Sequence, residues 1–286
     1  MITPFSLDGS IDFDMAARVA KFLVDQGSEG LVIAGSTGEG SALSDAEKLD
    51  LFSCVSQAVT VPVLAGSTSS DTARSVDLTS KVAATGVAGV LATTPAYARP
   101  SQAGIASHFG AVANATTLPV MLYDIPSRTG RKVASSTTID VVRKNANIIA
   151  LKDASGDLVQ AAHTKAVLGE ELDLYSGDDS VLLPFMAIGA AGIVSVAAHW
   201  ASPEFAALVR CVEKDDWEQA RAINERLAPS CAFESTELYP NPVPAKAALR
   251  ALGLAVGQCR LPLGDSDARC DAEAAEVVAQ LRATRG

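Results

Sequence analysis

The chain has 286 residues, 48% of them hydrophobic and 20% charged, which suits one large domain or two ordinary ones with a sizeable core. A formal net charge of −10 leaves no basic stripe to meet phosphates and argues against a nucleic-acid partner. No apolar stretch is long enough to span a bilayer and no charged-then-apolar leader opens the sequence, so no membrane partner and no secretory leader are expected. Five scattered cysteines (Cys54, Cys211, Cys231, Cys259 and Cys270) with no CxxC pair fit reduced thiols in a cytoplasmic protein rather than a disulfide framework or a zinc site.

In chain order, short apolar β-rich runs at residues 31–34, 61–65, 87–92, 119–123, 148–152, 172–176 and 192–196 predict seven strands. Between them lie stretches with helical spacing, such as 45–59, 72–84, 102–115 and 138–145. Ser44-Asp45-Ala46-Glu47 reads as a capping box, and Ser101, Ser136 and Asp157 are further candidate caps. Strands separated by helices, without hairpin signals, imply parallel βαβ units. An eighth strand is expected before Thr3-Pro4-Phe5, where the numbered chain leaves almost no residues for it. That strand is either very short or begins upstream of the recorded start. The expected fold is a TIM-type (β/α)8 barrel over residues 1–212 and a helical extension over 213–286. Helices in the extension are expected at 215–231, 244–252 and 272–282, with Leu261-Pro262-Leu263-Gly264 as a linker before the last. The alternative is a doubly wound open sheet, which needs a reversal of strand order. Gly35-Ser36-Thr37-Gly38-Glu39-Gly40 lacks both the Lys-Ser/Thr ending of a P-loop and the Rossmann spacing.

In a barrel, chemistry gathers where strands end and βα loops begin. Those positions hold Gly35-Ser36-Thr37-Gly38-Glu39, Thr94-Pro95-Ala96-Tyr97, Tyr123-Asp124-Ile125-Pro126-Ser127-Arg128-Thr129-Gly130, Lys152, and Ser176-Gly177-Asp178-Asp179. Lys152 closes the apolar run Asn147-Ile148-Ile149-Ala150-Leu151. Burial of such an amine disfavours the ammonium form and frees a nucleophile toward carbonyl carbon. The plainer reading is a lysine that snorkels out of a strand end. An amine, two phenols, two hydroxyls, an arginine and turns rich in backbone N–H groups together suit carbonyl chemistry on an anionic substrate.

Other chemistries fit less well. The three histidines, His108, His163 and His199, fall in two helical segments and one post-strand loop without ligand spacing, so no metal site is expected. Asp178-Asp179 reads as a helix cap ahead of a cation site. Ser36 lacks the GxSxG turn of a hydrolase nucleophile. Gly35-Ser36-Thr37-Gly38 is either a simple tight turn or one that presents consecutive N–H groups to a carboxylate.

These motifs, with Ala150-Leu151-Lys152-Asp153-Ala154-Ser155-Gly156, Gly192-Ile193-Val194-Ser195-Val196 and Asn241-Pro242-Val243-Pro244-Ala245-Lys246, resemble the dihydrodipicolinate synthase/N-acetylneuraminate lyase family. The resemblance runs in order over nearly the whole chain. It implies a Schiff-base, pyruvate-dependent lyase on a TIM barrel, with no cofactor, assembled as a homotetramer of two tight dimers. By that resemblance Lys152 would form an imine with pyruvate, and Tyr123 would shuttle protons. Ser36 would link Tyr123 to Tyr97, a tyrosine that reaches in from the neighbouring subunit. Ser36 and Thr37 would hold the pyruvate carboxylate, while Gly177 and Val194 would offer main-chain contacts.

Within the family, Arg128 in Ser-Arg-Thr-Gly matches the arginine that synthases place near the carboxylate of aspartate semialdehyde, where a guanidinium fork suits the anion. Gly-Ser-Thr-Gly-Glu, in place of the commoner Gly-Thr-Thr-Gly-Glu, points toward the lyases, although Ser36 keeps the hydroxyl. The resemblance therefore implies a synthase of the family, condensing pyruvate with L-aspartate 4-semialdehyde on the way to lysine. The alternatives are another pyruvate aldolase, acting on a sugar acid or hydroxy-oxo acid, and a silent oxoacid-binding paralogue. The positions matching the Asn, Glu and Tyr of the family's lysine-feedback site hold Ser70, Arg74 and Ala96. The resemblance therefore implies weak or absent inhibition by lysine, because an arginine opposes an ammonium ligand.

Overall fold

The computed structural model describes residues 1–283, and strand and helix alternate through them as an α/β fold. The last three residues of the expected extension lie outside the described residues. Met1–Val61 and the segment from Ser195 onward form one unit, and Pro62–Val194 form another.

The first unit opens with α1 (Phe13–Asp25), β1 (Leu31–Ile33) and α2 (Asp45–Ala58). Helix α1 starts on Asp12, whose carboxylate accepts from the Met15 N–H, and it buries Met15, Ala16, Val19, Ala20 and Leu23 on one face. Helix α2 carries the expected capping box: Ser44 Oγ accepts from Glu47 N and Glu47 accepts from Ser44 N. Residues before Phe5 form no strand; Phe5 makes an isolated antiparallel bridge with Ile11.

In the second unit the order is β2 (Val63–Gly66), α3 (Thr72–Val82), β3 (Gly89–Thr93), α4 (Gln102–Asn114), β4 (Val120–Asp124), a short α5 (Pro126–Thr129) and α6 (Ser135–Lys144). There follow β5 (Ile148–Asp153), α7 (Leu158–Leu168), β6 (Asp173–Ser176), α8 (Leu182–Ala187) and β7 (Gly192–Ile193). Strands β2 to β7 pair in parallel, each with its neighbour in the chain. No reversal of strand order occurs among them, which removes the doubly wound alternative for this unit. Every residue of β4 is buried, and so are four of the five in β3. Parallel strands covered on both faces need such unbroken apolar runs.

Three local expectations are corrected. Helix α6 begins at Ser135, and its N-cap is Ala134 rather than Ser136. No side chain caps the helix; Gln102 Oε1, reaching over from α4, instead accepts from Ala134 N at 2.9 Å and Thr137 Oγ1 at 2.8 Å and ties the helix start to α4. Strand β7 ends at Ile193. Two residues later Ser195 Oγ accepts from Ala198 N, opening α9 (Ala198–Glu213) in the first unit. His199 therefore lies in the short helical turn ahead of the kink at Ala201 rather than in a loop. Its Nε2 accepts from Ile2 N at 3.0 Å, it shares a 2.7 Å hydrogen bond with Val196 O, and burial pushes it down to about 3. Here it is a neutral core residue.

The first unit closes with α10 (Trp217–Phe233), α11 (Val243–Ala251) and α12 (Ala268–Ala283). Trp200 of α9 donates through Nε1 to Ser230 Oγ and packs edge-on to Phe233, both on α10. Among the described residues no helix is long and apolar enough to cross a membrane.

Candidate active site

Strands β4 and β5 end together, with Tyr123 opposite Lys152 in register and Tyr175 of β6 opposite Lys152 on the other side. Directly paired residues share one face of a sheet. Lys152 Nζ sits 4.2 Å from the centre of the Tyr123 ring, and both side chains are buried. No hydrogen bond or ion pair ties the Lys152 nitrogen to another described residue. Gly177, just past β6, passes so close that a Cβ there would lie 3.0 Å from Lys152 Cγ and Cε and 2.9 Å from Ala154 Cβ. Its N–H donates to Asp153 O at 2.7 Å, and Val194 N donates to Ser176 O at 2.9 Å. Lys152, Tyr123 and Gly177 are thus brought together around one amine.

The next residue on each strand is an acid on the opposite face. Asp124 and Asp153 are paired in register and buried. Burial, reinforced by the Asp153 charge and opposed by the Val133 N–H, pushes Asp124 up to about 7. Burial likewise raises Asp153, whose Oδ1 accepts from Ser155 N. Asp124 Oδ2 accepts from Val133 N at 3.2 Å, closing the loop that carries Arg128. Sequence reasoning gave these acids no part; their signal was two aspartates ending apolar runs.

Tyr97 stands apart, almost fully exposed at 95%. Its φ is +68°, and Ala98 N donates to Ala96 O across it at 2.7 Å. That is a tight three-residue turn of a strained kind. Arg99 Nε donates to Gly130 O at 2.9 Å, and Arg131 Nη2 donates to Arg99 O, so the Tyr97 loop is tied to the one bearing exposed Arg128. The pair Asp178-Asp179 forms a cap as expected, with Asp178 Oδ1 accepting from Ser180 N. Among the described residues no group of three or more His, Cys, Asp or Glu could hold a metal ion. His108 is pushed down to about 4 by burial and shares a hydrogen bond with Thr72. A groove of about 590 Å3 between α4 and α6, lined by Gln102, Ser107, Thr137, Asp140 and Lys144 among others, contains none of the residues expected to do chemistry.

In the other unit, Ser36 and Thr37 lie in a turn bounded by two left-handed residues, Ala34 at φ +51° and Glu39 at φ +54°. Gly40 is obligatory, since a Cβ would meet Ala34 O at 2.0 Å. Thr3 Oγ1 donates to Gly38 O at 2.7 Å, and Asn241 Nδ2 donates to Thr37 Oγ1 at 2.9 Å. Glu39 is buried; its Oε1 pairs with Lys246 Nζ at 2.6 Å and its Oε2 accepts from Arg260 N at 2.8 Å. The Arg260 guanidinium binds Glu47, which it holds down at about 2, and the carbonyls of Gly9 and Ala42. Phe5 lies against both cations, 4.3 Å from Lys246 Nζ and 4.4 Å from Arg260 Cζ. Sequence reasoning quoted Glu39, Asn241 and Lys246 in motifs without giving them a task.

The model of the dihydrodipicolinate synthetase family matches residues 1–281. The chain belongs to that family. A 4-hydroxy-tetrahydrodipicolinate synthase of Moorella thermoacetica is 46% identical over 265 residues, 92% of this chain and 90% of the relative. One from Thermosynechococcus vestitus is 41% identical, covering 99% and 93%. Among solved structures, a dihydrodipicolinate synthase of Cyanidioschyzon merolae with lysine bound superposes at a TM-score of 0.95, with 38% identity over 99% of this chain and 96% of that one. The Bacillus anthracis synthase gives 0.93 with 36% identity, covering 98% and 95%. The expectation of an enzyme, a lyase of this family, holds, and among the readings of the sequence these relatives support the synthase.

Proposed function

We propose that the chain condenses pyruvate with L-aspartate 4-semialdehyde as a 4-hydroxy-tetrahydrodipicolinate synthase. The observation that carries this reading is the buried, untethered amine of Lys152 against the Tyr123 ring at adjacent strand ends, in a chain of this family. The Lys152 amine adds to the ketone carbon of pyruvate, and the carbonyl oxygen leaves as water to give a protonated imine. That cation takes up the electron pair when a methyl proton is lost, and the resulting enamine attacks the aldehyde carbon. Tyr123 moves the protons, with Ser36 and Tyr97 completing the relay. Ser36 and Thr37 hold the pyruvate carboxylate, and Gly177 and Val194 present main-chain groups to the bound ketoacid. Arg128 meets the carboxylate of the semialdehyde.

The assembly that suits this reading is a homotetramer of two tight dimers, because an exposed tyrosine in a strained turn suits a group offered to a neighbouring subunit. A closed eight-stranded barrel over 1–212 with an extension over 213–286, a cytoplasmic location, and weak or absent inhibition by lysine at Ser70, Arg74 and Ala96 belong to the same proposal. The test is borohydride reduction with pyruvate followed by mass analysis, beside a coupled assay with aspartate semialdehyde and a panel of other aldehydes. A mass increase on Lys152 and turnover of the semialdehyde are expected. No label on Lys152 overturns the Schiff-base reading, and turnover of the panel alone overturns the synthase.

A further inference from the structure

The turn proposed to hold the pyruvate carboxylate is gripped by side chains far from it in the chain. Thr37 and Asn241 are 204 positions apart, yet Asn241 Nδ2 donates to Thr37 Oγ1 at 2.9 Å, and Asn241 is buried. Two residues on, the Glu39 carboxylate is divided between Lys246 Nζ and the Arg260 N–H. Lys246 also donates to Gln258 O at 2.8 Å. Thr3 holds the Gly38 carbonyl. The turn needs such support, because Ala34 and Glu39 both take left-handed backbone conformations that L residues other than Asn and Asp rarely adopt.

The Asn241 contact also has a direction. A side-chain N–H2 can only donate, so the Thr37 oxygen is the acceptor in this bond. A hydroxyl that accepts through one lone pair still has its single proton to give. With Asn241 occupying the acceptor side, that proton is left for an anion presented to the turn. A carboxylate, which can only accept, is the complementary ligand.

We propose that Asn241 is a positioning residue for the reaction: by donating to Thr37 Oγ1 it sets the Thr37 hydroxyl as a donor to the substrate carboxylate, within a turn clamped by Glu39, Lys246 and Arg260. The inference rests on the reading that this turn binds the pyruvate carboxylate. Asn241 touches Thr37, and its effect on substrate runs through that hydroxyl.

The variant N241D keeps the shape of the side chain and reverses the bond, since an ionised carboxylate takes the Thr37 proton for itself. The half-saturating pyruvate concentration, read by borohydride trapping on the folded enzyme, should rise roughly 10–100-fold, the range for losing a hydrogen bond to a charged group. The limiting extent of labelling at saturating pyruvate should stay near that of wild type. The rise should shrink as pH falls through the titration of the introduced carboxyl, which donates once protonated. N241A, which removes the donor without taking the proton, should give a smaller rise. Because half-saturation does not depend on how much protein is folded, both variants remain readable if they are destabilised. Wild type that fails to label with pyruvate overturns the Schiff-base reading, and this inference with it. Wild type that labels overturns this inference alone if N241D leaves half-saturation unchanged, if its rise is independent of pH, or if N241A equals it.

Discussion

Two buried lysines in this protein have the same kind of ring neighbour and opposite kinds of polar neighbour. Lys152 Nζ lies 4.2 Å from the Tyr123 ring, and Lys246 Nζ lies 4.3 Å from the Phe5 ring. Lys246 also has a carboxylate at 2.6 Å and a carbonyl at 2.8 Å, so its ammonium group is held by an anion and a backbone oxygen. Lys152 has neither among the described residues. Burial and an aromatic face are therefore not enough to mark a reactive amine. The partner set separates the two, because a nitrogen committed to a carboxylate has no lone pair to offer a carbonyl carbon.

The comparison can be broken most directly by removing each lysine in turn. K152M should lower turnover roughly 10³-fold or more, since no other group can form the imine. Its stability should match or exceed wild type in urea unfolding, because it removes a buried amine that has no hydrogen-bonded partner. K246M should do the reverse in stability, costing about 3–5 kcal/mol by leaving Glu39 buried and unpaired. The double variant E39Q/K246M should recover most of that loss, because the glutamine oxygen still accepts from Arg260 N. A stable K246M, or a strongly destabilised K152M, would show that the partner set is not what distinguishes them.

The acids beside Lys152 sharpen the same point. Asp124 and Asp153 are its near neighbours in the sheet, yet strand alternation turns them to the other face, so they do not engage the amine. Asp124 instead carries a proton up to about 7. An acid whose folded pKa lies above its unfolded value binds more protons when folded, so it stabilises fully only below about pH 4, and that stability is lost as pH rises to about 7. D124N keeps an acceptor for Val133 N and removes the titration. Relative to wild type it should gain on the order of 2–4 kcal/mol in unfolding free energy between pH 4 and pH 8. An unchanged difference across that range would mean that Asp124 is ionised throughout.

Much of the Lys152 region was legible in the sequence. An apolar run ending in lysine and another ending in tyrosine, in consecutive βαβ units, are enough to predict neighbouring strand ends. The Ser44 capping box was legible for the same reason, being contained within four residues. What stayed hidden depends on residues distant in the chain. The start of α6 is uncapped at Ala134 and held by Gln102 of α4, rather than capped by Ser136. The Glu39–Lys246 pair and the Asn241–Thr37 bond each span about two hundred positions. No local spacing rule reaches that far, and an isolated Glu or Lys in a sequence carries no mark of burial.

The smallest expected effect tests how closely the Lys152 stem is held. Gly177 does not take a left-handed backbone conformation, so no backbone strain demands glycine there. What demands it is space, with Lys152 Cγ and Cε both 3.0 Å from the missing Cβ and Ala154 Cβ at 2.9 Å. Ala154 sits on the chain just after β5 and cannot retreat easily, whereas the lysine stem is flexible and can. G177A should therefore push the amine aside, with an overpacking cost of about 1–3 kcal/mol. Its rate of labelling by pyruvate and borohydride should fall by roughly tenfold to a hundredfold, as a displacement on the ångström scale implies. The same substitution near Lys246 has no counterpart, since a pinned ammonium group has nowhere to move. If G177A labels at the wild-type rate, the stem is not confined by the β6 loop, and the absence of polar partners alone accounts for the behaviour of Lys152.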